Sequence, residues 1–277
     1  MPARAANRTL RLGGDVALAG WEYLTRQFAG PLLTMTAPRP ESPRAVMTLP
    51  GFTGSERSLT SLNSFLGNLG YLSEPWVLGR NRGYLTADQL EQQIEQIAEH
   101  AEELAHKTGE TVSLVGHSLG GVYAREAARR HPALIDRVIT LGSPAHMDRP
   151  DTAIDPTVQR IYHTSRGPGF KRASRDEPPK GVALVSIYSH LDAVVSVQAA
   201  EIPEKYMNNA ESPRENIVIP GSHLGMTVNA LAHLVVADRL AEPLASWRPF
   251  SAGRYVIPSF TPSTPADLMQ NTSWNIS

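Results

Sequence analysis

TVSLVGHSLGGVYA, residues 111–124, joins two periodicities end to end. Thr111, Val112 and Val115 are β-branched and belong to a short buried strand. After them come Gly116, His117, Ser118, Leu119, Gly120 and Gly121, and then an alanine-rich run that reads as a helix up to Pro132. One serine therefore sits between glycines where a strand becomes a helix. Such a turn is tight, and side chains at Gly116 and Gly120 would collide with neighbouring backbone. Gly-x-Ser-x-Gly has meaning only in strand–turn–helix context, where it projects the serine hydroxyl from a nucleophile elbow. The bland alternative is a glycine-rich turn that lets a helix pack closely.

The same alternation extends outward from this stretch. Residues 45–50 read as a strand ending in a glycine turn. Residues 58–70 read as an amphipathic helix with Leu59, Leu62, Phe65, Leu66 and Leu69 on one face, and residues 73–78 as a strand. Thr86 and Gln89 form a capping box for a helix that runs to about residue 107 and is stopped by Gly109. Strands follow at 135–144, 182–189 and 215–221, and a closing helix at 224–241. Strands alternating with helices predict an α/β fold: a mostly parallel central sheet with helices on both faces. The pattern fails in the polar insertion 144–180, rich in Pro, Arg and Asp, which is expected to cover the carboxyl ends of the strands as a lid or to form a long surface loop.

The predicted organisation has three parts: an N-terminal extension over residues 1–43, a catalytic domain over 44–250 and a tail over 251–277. The extension holds a helix over residues 16–28, whose Leu18, Trp21, Leu24 and Phe28 share a face expected to pack onto the domain. Asp15 and Glu22 break its apolar stretch, which makes a poor secretory signal and points to a cytoplasmic protein. No apolar run is long enough to span a membrane, though peripheral lipid contact is compatible with the sequence. The 277 residues carry 26 Lys and Arg against 27 Asp and Glu, a balance that argues against a nucleic-acid binder. There is no cysteine, which removes disulfides, thiolate metal sites and cysteine nucleophiles.

A neutral serine needs a base, and the chain offers nine histidines. His100 and His106 lie on the polar side of a helix, and His117 sits inside the elbow with its ring expected to point away from the serine. His131 ends a helix, His163 lies in the insertion, and His233 lies on the last helix. His223 follows a strand and a Pro-Gly-Ser turn, at the sheet's carboxyl edge, and is the chosen base, with His146 its competitor. The base needs an acid to hold its tautomer. Asp192 lies just past the 182–189 strand, with Val194, Val195 and Val197 to shield it, whereas Asp148, Asp151, Asp155 and Asp176 fall in the polar segment. The Leu119 N–H, at a helix start, and the Phe52 N–H, in the turn after the first strand, are the candidate oxyanion donors. The order Ser118, Asp192, His223 differs from that of trypsin-like and subtilisin-like proteases.

Four segments carry a family resemblance: LPGFTGS (49–55), LVGHSLGGVYAREAA (114–128), LGSP (141–144) with SIYSHLDAVV (186–195), and GSHLGM (221–226). Together they resemble the α/β-hydrolase superfamily, and within it the small bacterial triacylglycerol lipases and esterases. The resemblance implies Ser118 as nucleophile, Asp192 as acid, His223 as base, and Phe52 and Leu119 as oxyanion donors. It implies hydrolysis of small-molecule esters or lipids without metal or organic cofactor. One departure is Pro50-Gly51, where such lipases usually have His-Gly. The same residues could serve an acyltransferase or cleave amides and thioesters, and the fold could also serve a binding protein.

Overall fold

The computed structural model describes residues 2–83, 86–145, 177–207 and 212–255. Six strands form one sheet: β1 (Ala45–Leu49), β2 (Leu72–Pro75), β3 (Val112–His117), β4 (Ile135–Leu141), β5 (Ala183–Tyr188) and β6 (Arg214–Val218). Their order is β2-β1-β3-β4-β5-β6, and every neighbouring pair is parallel. β1, β3, β4 and β5 are buried along their whole length, as strands covered on both faces must be. β2 is only half-buried and ends in Pro75, which an edge strand tolerates because one side of it pairs with no strand among the described residues.

Helices cover the two faces in separate layers. α2 (Thr60–Leu69) packs Leu62, Phe65, Leu66 and Leu69 against Val46, Val115, Ile139 and Val185. α3 (Ala87–Thr108) and α4 (Leu119–Arg130) cover the other face, where Leu90, Ile94, Ile97 and Val122 meet Met47, Leu49, Leu114 and Val138. Adjacent residues such as Leu114 and Val115 enter opposite cores, as the two-residue period of a strand requires. Two short helices, α5 (Val197–Ala200) and α6 (Glu204–Met207), follow β5, and α7 (Ala230–Ala241) closes the α2 face. The capping box predicted at Thr86 is present: its side chain accepts from the Gln89 N–H, and Gly109 ends α3 in a left-handed conformation.

Three expectations change. The closing helix begins at Ala230, because the Asn229 side chain caps it through the Leu231 and Ala232 N–H groups. A single 3₁₀ turn, Gly225–Thr227, occupies the preceding residues. The N-terminal helix α1 is longer than predicted, Pro2–Thr36, with Pro31 inside it, because Ala29, Leu33 and Ala37 beyond the predicted end join the α2 core. α1 docks with the opposite face from the one expected. Trp21, Leu24, Phe28 and Met35 are exposed, Phe28 at 76% and Met35 at 81%, whereas Asp15 and Glu22 are buried. Of the insertion expected to cover the sheet, residues 146–176 lie outside the described residues, His146 among them, as does the tail beyond residue 255. Among the described residues no helix is long and apolar enough to cross a membrane.

Candidate active site

The chain leaves β1 for β2 on one side and continues to β3 on the other, so the crevice between the carboxyl ends of β1 and β3 is the switch point of the sheet. Ser118 stands there, directly after β3, with φ +51° and ψ −121°. Only Ser118 and Thr53 among the described non-glycine residues have positive φ, and such backbone persists only where the surroundings impose it. A Cβ on Gly120 would lie 2.1 Å from the Leu49 carbonyl oxygen, and one on Gly116 would lie 2.4 Å from the Gly121 Cα. The elbow is thus pressed between the ends of β1 and α4. Its Ser118 N–H donates to the Leu141 carbonyl at 2.9 Å, which ties it to β4.

The loops after β5 and β6 converge on this serine. His223 Nε2 is 3.1 Å from Ser118 Oγ, and His223 Nδ1 is 2.8 Å from Asp192 Oδ2. All three side chains are buried. A carboxylate can only accept, so the Asp192 contact assigns the proton to Nδ1 and leaves Nε2 to accept from the serine hydroxyl. The other carboxylate oxygen of Asp192 accepts from the Val194 and Val195 N–H groups, both at 2.7 Å. Two of the three valines expected to shield the acid, Val194 and Val195, hold it with their backbone. Ser189 Oγ accepts from Leu191 N–H and Gly221 N–H, which joins the acid loop to the histidine loop.

His117 packs, as its place in the elbow suggests, and does more. Its ring lies 4.9 Å from the His223 ring, and its Nε2–H donates to the His223 carbonyl at 2.9 Å. Burial, with the neighbouring His223 second, pushes the His117 imidazole down to about 4, so it stays neutral. Phe52 sits in the loop after β1. Asn81, almost fully buried, holds that loop: its side-chain N–H donates to the Pro50 carbonyl at 2.7 Å, and its own carbonyl accepts from the Thr53 N–H at 2.7 Å. The Phe52 N–H has no acceptor among the described residues. The Leu119 N–H opens α4 and so has no partner within the helix. Beside Phe52, at Gly83, begins an open groove of about 600 Å³ that includes Val77, Leu78 and Arg82.

Sequence reasoning missed Asn81, the His117 contact, and two acids of α1, Asp15 and Glu22, whose carboxylates bond to the backbone of residues 222–224. The last two, seven residues apart, share a face of α1, but spacing alone does not say that this face meets the domain. His100, expected to be solvated, is buried beside Glu74 and Glu103.

The model for the alpha/beta hydrolase fold matches residues 46–220, more than half of the chain. The chain belongs to this α/β-hydrolase family. Ser118, Asp192, Phe52 and Leu119 fall within the matched stretch of this α/β hydrolase, and His223 lies three residues past its end. Among solved structures, one of the metagenome-derived lipolytic enzymes LipS and LipT superposes with a TM-score of 0.52 at 16% identity, covering 74% of this chain and 94% of the other. Lipase B of Aspergillus fumigatus gives 0.51 at 15% identity, covering 76% and 57%. At these identities the likeness is one of fold. A homoserine O-acetyltransferase of Haloarcula marismortui is 32% identical over 84 residues, which span 28% of this chain and only 20% of that enzyme.

Proposed function

We propose that this α/β hydrolase is a serine hydrolase that cleaves carboxylic esters through an acyl-enzyme, in the manner of lipases and esterases. The observation that carries this reading is the hydrogen-bonded series from Ser118 through His223 to Asp192 at the switch point of the sheet. In the proposed reaction His223 Nε2 takes the hydroxyl proton as Ser118 Oγ attacks the ester carbonyl. Asp192 keeps the imidazole in the required tautomer and stabilises the imidazolium. The Leu119 and Phe52 N–H groups receive the oxyanion, each worth about 3 kcal/mol of transition-state stabilisation. The alcohol leaves with the proton from His223, and water then releases the acid by the same route. The groove beside Phe52, lined by Val77 and Leu78 together with Gln89, Gln92, Gln93 and Gln96, is the proposed seat of the substrate.

The test is hydrolysis of p-nitrophenyl esters of increasing acyl length by wild type and Ser118→Ala. The expected result is turnover by wild type and a loss of at least about 10³-fold in the variant. Wild type inert on the whole series, or a variant that matches it, would sink the proposal. A second reading, acyl transfer to an alcohol, is favoured by the segment shared with the acetyltransferase. It requires the same acyl-enzyme, and product analysis with added acceptor alcohol separates ester formation from hydrolysis.

A further inference from the structure

Asp15 and Glu22 are 3% and 5% exposed, and buried acids must find donors. Theirs are three consecutive backbone N–H groups of the loop that carries His223. Asp15 accepts from His223 N–H at 2.8 Å and from Leu224 N–H at 3.0 Å. Glu22 accepts from Ser222 N–H at 3.2 and 3.3 Å, from Ser222 Oγ–H at 2.5 Å and from the Asn229 side chain at 2.6 Å. Asp15 also reaches the acid loop, through Ala193 N–H at 3.4 Å. One helix therefore grips both the loop that carries His223 and the loop that carries Asp192. The loop is shaped for this grip: a Cβ on Gly225 would lie 1.7 Å from Glu22 Oε2, and one on Gly221 would lie 2.8 Å from Oε1. Arg26, one turn on, donates to His233 Nδ1 at 3.0 Å and clasps α7 as well.

We propose that Asp15 and Glu22 are positioning residues for His223, holding its backbone so that Nε2 stays within reach of Ser118. The inference rests on the triad reading above. Both acids lie outside the stretch that matches the family, residues 46–220. Past the last sheet bond, from the Ile219 N–H to the Tyr188 carbonyl at 2.9 Å, the backbone N–H groups of residues 221–224 reach no backbone carbonyl among the described residues, so no ladder of sheet or helix hydrogen bonds holds them. Carboxylates bonded to backbone N–H groups are stronger than neutral bonds and replace that ladder. A shift of about 1 Å in a reacting group costs about 10²-fold in rate, which sets the scale of the effect.

The test measures kcat and KM of Asp15→Ala, Asp15→Asn, Glu22→Ala and Glu22→Gln, each normalised to serines titrated by a fluorophosphonate. Asp15→Ala and Glu22→Ala are expected to lower kcat per titrated site about tenfold to 10²-fold, with KM within about twofold. Asp15→Asn and Glu22→Gln keep one acceptor oxygen and should recover part of the loss. Wild-type kcat per titrated site in the alanine variants overturns the inference. If these do not fold, the isosteric Asn and Gln variants decide it, and unchanged kcat in both overturns it. A wild type that the probe labels and a Ser118→Ala variant that it does not keep the triad reading standing whatever the α1 variants do. An unlabelled wild type removes both.

Discussion

Gly120→Ala adds one carbon atom at the point where the elbow meets β1. That carbon would lie 2.1 Å from the Leu49 carbonyl oxygen, 2.6 Å from its carbon and 2.8 Å from the Pro50 oxygen. Ordinary contacts begin near 3.5 Å, so α4 and the end of β1 must part by more than about 1 Å. All three neighbours are backbone, and no rotamer change relieves them. The strain is expected to cost about 1–3 kcal/mol of stability. The atoms forced apart flank Ser118 on one side and the Phe52 N–H on the other, so the proposed oxyanion site opens by the same distance. A displacement of that size should lower kcat/KM about 10²-fold, or about 2.7 kcal/mol in the barrier. Gly67→Ala is the control. Gly67 lies inside α2 with nothing within 4 Å of its added carbon, so alanine there should raise stability by roughly 0.4–1 kcal/mol and leave activity alone. Denaturant unfolding and p-nitrophenyl ester kinetics on both variants make the comparison. Full activity in Gly120→Ala would refute the contact geometry at the elbow.

Three further outcomes are expected. In Asp192→Asn the Val194 and Val195 N–H groups still demand an oxygen, so the amide NH₂ must face His223 Nδ1. The imidazole then carries its proton on Nε2 and cannot accept from Ser118, and kcat should fall about 10⁴-fold with the fold intact; ester kinetics and thermal unfolding check both halves. Burial pushes His117 down to about 4 and His233 down to about 3, both from an ordinary value of 6.5. The unfolded chain therefore binds more protons as pH falls below about 6.5, and the stability these groups contribute is present above that value and lost towards their folded values. Each contributes a slope of roughly 1.4 kcal/mol per pH unit, so denaturant unfolding of His233→Gln between about pH 7 and about pH 5 should show a shallower decline than wild type. Arg239 is fully buried and holds Glu215 at 2.8 Å together with Asp238 and the Arg248 carbonyl, at the end of the sheet away from Ser118. Arg239→Leu removes the charge partner of buried Glu215, which among the described residues keeps only the Trp247 and Phe250 N–H donors, and should lower unfolding stability by about 3–5 kcal/mol while kcat per titrated serine stays the same; a variant as stable as wild type would contradict this account of the pair.

What the sequence determined by itself was the part written in contiguous residues. The elbow is legible because Gly116, Ser118 and Gly120 occupy five positions in a row, and the collisions that require the glycines involve atoms close in the chain or in the adjoining strand. The parallel sheet is legible because strands buried on both faces leave continuous apolar runs separated by helical periods. Chain order then puts Asp192 and His223 at strand ends, where the structure brings His223 within hydrogen-bond distance of both Asp192 and Ser118. Tertiary structure alone decided the docking of α1. Periodicity says which residues share a face of a helix, not which face meets the domain, and here the apolar stripe with Trp21, Leu24 and Phe28 faces out. Asp15 and Glu22 face in because their partners are backbone N–H groups about 200 residues away, and every residue but proline carries such a group. A backbone donor or acceptor leaves no mark on the sequence, so Asn81 at the Pro50 carbonyl and the acids at His223 become visible only once the chain has folded.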